Sequence, residues 1–424
     1  MAEKNSKFHY AWIILIALSI IVGIGKGAIN NSAGLFLPGV TEDLGIGMGK
    51  LTLYFSVSAV VTMIFLPIGG KLMAKYDTRY IIALGIVLQA GAFALFGLMS
   101  NVWGWYVLAI PLAMGGVFIT VIVGPVVINQ WFKSRNGLAL GILSAAGGLF
   151  GAIAQPIAAS LIVNLGWRLA YIALGVAAIV IIVPIALLLI KRSPQAHGVQ
   201  PYGAADRAVE TDDGSEQEEE VEEGIDVAVA KKSSALYMLM LFFFFVTSIA
   251  SFSMHIPKHL ENLGFDVTFS GNVMSGYMIG ILIGSLILGY LVDKLGSKTT
   301  AVGTMIVGIF AIGTLILANQ NAVMIIISVA VFGLISSSIG IIAPALTTSL
   351  FGKKAYSEIY STASMGLAIS SIVALPVYGF IYDAFNSYVP VLYAIIVMLI
   401  VNIVCVYLAF ANQKKLVEEG HWTK

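Results

Sequence analysis

Long apolar runs separated by short polar connections dominate the chain. A helix that crosses about 30 Å of hydrocarbon needs about 20 residues. Twelve stretches meet that length: roughly 11–36, 51–73, 80–100, 103–128, 138–163, 168–190, 234–256, 270–292, 299–318, 322–349, 357–382 and 387–411. One polar stretch, Lys191–Lys232, is far longer than the other connections and divides the runs six and six. The pattern predicts an all-α polytopic membrane protein with twelve transmembrane helices. It reads as an N-terminal six-helix bundle over 1–190, a cytoplasmic linker over 191–232, and a C-terminal six-helix bundle with a short tail over 233–424.

The two sets of runs repeat. Gly70 in GKLMAKYDTR corresponds to Gly289 in GYLVDKLGSK, 219 positions on. The same offset of 219 takes Pro38 to Pro257, Gly45 to Gly264, Pro125 to Pro344 and Phe132 to Phe351, while Pro156 and Pro376 differ by 220. Matches at one offset, in corresponding loops and helices, argue for a duplicated six-span unit. Parallel repeats of this kind are expected to hold a substrate between the halves near the bilayer midplane.

Composition agrees with a membrane setting: 59% of the 424 residues are hydrophobic and 11% charged, where a soluble domain carries about 25% charged residues. The single cysteine, Cys405, excludes an intrachain disulfide framework and a cysteine-based zinc site. Lys and Arg placement predicts orientation. With both termini in the cytoplasm, nineteen of the 23 Lys and Arg fall in interior segments and three (Lys50, Arg168 and Lys258) in exterior ones. The expected location is the cell membrane. Trp12, Trp103, Trp105 and Trp167 fall at span ends, where interface anchors belong. Lys4 and Lys7 precede a long run without a small-x-small cleavage site, which reads as an uncleaved first span.

The remaining basic residue is Lys26, in IVGIGKGAINNSAGLFLP (Ile21–Pro38). It sits near the middle of the first span, roughly 12–15 Å from the membrane surface, farther than its side chain extends. Ionisable residues at that depth face a protein interior or a wet cavity. Asn30 and Asn31 follow one turn later. No Asp or Glu lies mid-membrane: eleven of the 22 crowd into the linker between Asp206 and Asp226, and the rest lie in loops, tails or span ends. A buried cation needs a counter-charge. An anionic solute at Lys26, entering with a proton, supplies it without any carboxylate of the protein. The plainer alternative is a lysine satisfied by neighbouring carbonyls.

His255, in SFSMHIPKHLENLGF, stands near the outer end of the seventh run. It is a candidate for gating or proton transfer, or a helix-end histidine bonded to backbone. Lys258 and His259 read as exterior loop. Tyr54, Thr120, Gln155, Tyr277, Tyr360 and Ser364 are polar side chains within spans that can orient a small carboxylate. Hydroxyls also serve helix packing.

No Walker motif, dinucleotide fingerprint, HExxH or catalytic triad is present. The expectation is a non-enzyme with no catalytic residues, no cofactor, no metal and no nucleic-acid partner, driven by ion or solute gradients. The acidic stretch Gly198–Val229 reads as a disordered tether, with docking of a cytoplasmic partner as the alternative.

GYLVDKLGSK (Gly289–Lys298) resembles the loop signature of the major facilitator superfamily, intact in the second half. In the first half Ala74 replaces the signature Asp, and Asp77 the second Gly. The resemblance implies the superfamily's two-bundle fold and a gating charge pair at Asp293 with Lys294. WFKSRNGLALGI (Trp131–Ile142), GWRLAY (Gly166–Tyr171) and His255-Ile256-Pro257 resemble the monocarboxylate-transporter and oxalate:formate-antiporter branch. Some monocarboxylate members carry a lysine in the first span, as here. The branch's usual Arg and Asp in the eighth span are replaced by Ser285 and Ile281, and no Lys or Arg lies between Ser357 and Tyr382. The resemblance then implies a monoanion such as lactate, pyruvate or formate, moved by symport or antiport. The alternatives are an exporter of neutral or amphipathic compounds and a transporter-derived sensor signalling through the acidic loop.

Overall fold

A computed structural model describes residues 9–191, 193–195, 198–203 and 223–423. Eleven helical stretches among them are long and apolar enough to cross a membrane. One, Asn136–Leu188, carries two spans, because Gly166 (φ 77°, ψ 160°) breaks the helix inside it. The twelve spans are therefore Tyr10–Leu44, Met48–Lys75, Thr78–Phe96, Val102–Trp131, the two within Asn136–Leu188, then Ser234–Asn262, Val267–Leu295, Ser297–Leu317, Ala322–Phe351, Tyr356–Phe385 and Val389–Glu418. Polar residues ahead of apolar runs start several of them. Asp77, Asn101, Asp266 and Asn321 each accept a backbone N–H of the following first turn, which satisfies donors the helix leaves over.

The repeat is visible in the backbone. Gly45 (φ 61°) and Gly264 (φ 91°), 219 positions apart, both turn the chain through the left-handed region. The signature loops differ as their sequences do. Gly296 adopts φ 80° and ψ 159°, whereas Asp77 keeps φ −66° and instead caps the third span. Its carboxylate also pairs with Arg79 at 2.8 Å.

The chain forms two compact units. The first comprises Met1–Phe36 and Val57–Gln217, the second Leu37–Ser56 and Glu218–Lys424. The first is centred on an aromatic cluster: Phe36 stacks on Tyr171 at 3.9 Å, and Phe93, Phe96 and Trp105 pack around them. Trp105 and Trp167 are buried and therefore core, not interface anchors, whereas Trp103 is 71% exposed. In the second unit, Phe252 packs against Phe332, Tyr378 and Tyr388.

The ends of the acidic stretch are ordered. Tyr202 sits among His9, Trp12 and Phe132, and its backbone bonds to Trp131, Lys133 and Ser134. In the second unit, Gly224–Ile225 pairs antiparallel with Trp422–Thr423, Lys353 N–H donates to the Glu223 carbonyl, and Asp226 and Glu358 pair with Lys354 and Lys231. Residues 204–222, where the tether was expected, lie outside the described residues.

Candidate functional site

The first span is not a uniform α-helix. Gly23–Asn30 winds as a π-helix, and Asn31 N–H reaches back five residues to the Lys26 carbonyl at 3.0 Å. Such segments are uncommon and concentrate at functional sites. The glycines bring this turn against the fifth span. A Cβ on Gly27 would come within 2.5 Å of the Gly151 nitrogen and 2.9 Å of the Gly147 oxygen. The fourth span carries a second π-helical segment, Val117–Ile122, packed beside the first. Thr120 lies in it and donates its hydroxyl to the Gly116 carbonyl at 2.8 Å.

Two buried glutamines tie this region together. Gln89, from the third span, donates to the Gly25 carbonyl at 3.1 Å and to Asn30 Oδ1 at 3.0 Å. Gln155, from the fifth, donates to the Asn31 carbonyl at 2.8 Å. Both are fully buried, and their own carbonyl oxygens accept nothing among the described residues.

Lys26 lies close to the midpoint of the 35-residue first span, about 25 Å along the helix from either end. Its stem runs past Gly147, where a Cβ would touch Cδ at 3.4 Å. The side chain is exposed. Its ammonium has no hydrogen bond or ion pair among the described residues. Lys26, Asn30, Asn31, Thr120 and Gln155 thus share one region of the first unit. Gln89 belongs there too and was missed. The signal was present as the lone amide in the run IIALGIVLQAGAF.

Tyr54, His255, Tyr277, Asp293, Lys294, Tyr360 and Ser364 belong to the second unit. His255 ends a short 3-10 turn, Phe252–His255, and is fully buried. Its Nε2 lies 2.9 Å from the Leu375 carbonyl and its Nδ1 2.7 Å from the Tyr388 hydroxyl. A carbonyl only accepts, so Nε2 carries the proton and Nδ1 accepts from Tyr388. Tyr277 is buried, with its ring 5.8 Å from that of Phe332. Tyr360 stacks on Tyr356 at 5.5 Å, Ser364 donates to the Tyr360 carbonyl at 2.7 Å, and Tyr54 stacks on Phe55 at 4.1 Å.

Three expectations change. Lys258 and His259 are not in a loop: the helix Ile256–Asn262 continues the seventh span, with His259 buried and Lys258 paired to Glu261 at 2.7 Å. Among the described residues, Asp293 and Lys294 make no ion pair between helices. Lys294 turns to Tyr290, one turn back on its own helix, at 3.2 Å, and Asp293 has no ion pair among the described residues. Asp383, expected only as a span-end residue, accepts the Met48 and Gly49 amides at 2.8 Å each.

The sequence pattern described as the Major Facilitator Superfamily matches residues 15–271 and 236–421. An uncharacterized MFS-type transporter, YcxA, of Bacillus subtilis (strain 168) is 24% identical over 294 residues, 68% of this chain and 66% of that protein. The oxalate:formate antiporter of Oxalobacter formigenes is 25% identical over 189 residues, 45% of this chain and 44% of that protein. The chain thus spans just under two thirds of the first relative's length and less than half of the second's. The crystal structure of a bacterial homolog to the human lysosomal transporter Spinster, inward-facing and unoccupied, has a TM-score of 0.74 at 13% identity and covers 100% of both chains.

Proposed function

Since the chain belongs to the major facilitator superfamily, a family of multi-pass membrane transporters, we propose that its solute is a small monocarboxylate, carried with a proton by alternating access across the cell membrane. Both termini then face the cytoplasm, the side that holds most of the basic residues. The observation that carries this reading is Lys26: a lysine with exposed surface, at mid-span depth in a π-helical turn, without a partner among the described residues. A charge left there is costly unless an anion meets it. One cation matches one carboxylate, and the Asn30 amide beside it adds a donor. The similarity to an oxalate:formate antiporter supports an anionic solute. The proton is assigned to Lys26 rather than His255, since both ring nitrogens of His255 are already engaged.

The test is uptake into proteoliposomes of lactate, pyruvate and formate, with and without a pH gradient, by the native chain and by Lys26→Gln. Native uptake rises when the outside is acidic, and the variant loses it while its melting temperature is held or raised. Equal uptake by Lys26→Gln, or uptake confined to uncharged compounds, refutes the reading.

A further inference from the structure

We infer that Gln89 is a positioning residue that turns the Asn30 amide, so that the π-turn carrying Lys26 presents two donors, the ammonium and the Asn30 NH2, and accepts anions while rejecting cations. The inference rests on the proposed anion site and deepens it. It begins from a group that cannot turn over: the Gly25 carbonyl is backbone and only accepts. A terminal amide has one donor end and one acceptor end. Gln89, fully buried, therefore aims its NH2 at Gly25, 3.1 Å away. Its second N–H lies on the same nitrogen, and at 3.0 Å it meets the Asn30 side chain. Asn30 must answer with its oxygen. Its own NH2 is left on the other branch, and no described residue accepts from it.

The orientation thus passes from a fixed carbonyl through one amide to the next. Turning Gln89 over would set its oxygen against the Gly25 carbonyl and leave a buried acceptor facing an acceptor, which is unfavourable. Gly25 helps to fit the pair: a Cβ there would lie 3.3 Å from Gln89 Oε1. On the same π-turn, Lys26 stands one turn before Asn30, and an ammonium is likewise donor-only. A monocarboxylate fits two adjacent donors, one charged and one neutral; an amine or a metal cation finds neither an acceptor nor a counter-charge on this turn.

Two measurements test this on the full-length protein. The first is ligand-free. Asn30→Asp keeps an acceptor facing Gln89 and holds its melting temperature. Gln89→Glu, protonated in this buried site, keeps one O–H for two acceptors, leaves the other facing oxygen, and melts lower. The reverse order, with Gln89→Glu tolerated and Asn30→Asp destabilised, overturns the orientation. The second is kinetic, with formate and lactate as probes. Gln89→Leu frees Asn30 to turn, so KM rises roughly 10- to 100-fold, the weight of one hydrogen bond to a charged group, while kcat changes little. An unchanged KM, with only protein yield or melting temperature lowered, makes Gln89 merely structural and overturns the positioning role. If the native chain transports neither probe, the monocarboxylate reading fails along with the ligand half of this inference. The melting order of Asn30→Asp and Gln89→Glu still judges the amide orientation separately.

Discussion

Replacing Asp383 by Ala should loosen the start of the second span by a measurable amount. Met48 and Gly49 are the first two residues of the helix Met48–Lys75, so their N–H groups have no partner within it. Each donates to a different oxygen of Asp383, at 2.8 Å. The fit is close on both sides. A Cβ on Gly47 would lie 2.7 Å from Asp383 Oδ2, and a Cβ on Gly379 would lie 2.7 Å from the Gly49 nitrogen. A second contact lies about two turns on. Pro376 lacks an N–H, which frees the Ile372 carbonyl, and the Ser56 hydroxyl donates to it. Loss of an N-terminal cap costs about 1 kcal/mol. The carboxylate's attraction to the helix end adds a few tenths, kept small because Asp383 is itself exposed and screened by solvent. About 1–1.5 kcal/mol corresponds to roughly five- to tenfold in local opening. Hydrogen exchange read by mass spectrometry on peptides covering 46–52 measures it directly. Asp383→Ala should accelerate exchange there by that factor, and Asp383→Asn, with a single acceptor oxygen, by less. Exchange in Asp383→Ala equal to the native rate would refute the assignment of this carboxylate as the cap.

Three further outcomes can be measured by thermal denaturation in detergent. Gly27→Ala drives a methyl into the backbone of Gly147 and Gly151, which cannot swing aside; overpacking of about 1–3 kcal/mol should lower the melting temperature, and an unshifted midpoint would mean that the first and fifth spans are not in contact there. Tyr388→Phe deletes the buried donor to His255 Nδ1 and should destabilise by about 1–3 kcal/mol, while Tyr382→Phe, whose hydroxyl reaches Asn262 at an exposed site, should change little. Tyr202→Ala empties the cluster of His9, Trp12 and Phe132 and should lower the midpoint, whereas excision of residues 206–220 should leave both midpoint and uptake unchanged.

Much of this architecture can be read directly from the chain. Twelve apolar runs follow from the thickness of hydrocarbon, a length requirement that needs no knowledge of neighbours. The duplication follows from glycines and prolines at one offset, because a positive φ, as at Gly45 and Gly264, is a local demand that glycine meets at little strain. Lys26 stands out for the same kind of reason, since one charge in an apolar run is unfavourable whatever surrounds it. What the sequence leaves open is pairing between helices. His255 reads as a proton carrier or a structural residue until Leu375 and Tyr388 are found on its two nitrogens, 120 and 133 positions away. The family resemblance suggests a charge pair at Asp293 and Lys294, yet helix geometry sends Lys294 back to Tyr290. Gln89 looks like one more amide until it proves to span Gly25 and Asn30. The sequence by itself determined which segments enter the membrane and where the isolated charge lies, because those depend on transfer from water to hydrocarbon. Only the tertiary structure decided which donors and acceptors face one another, because hydrogen bonds act over about 3 Å and the partners come from different helices.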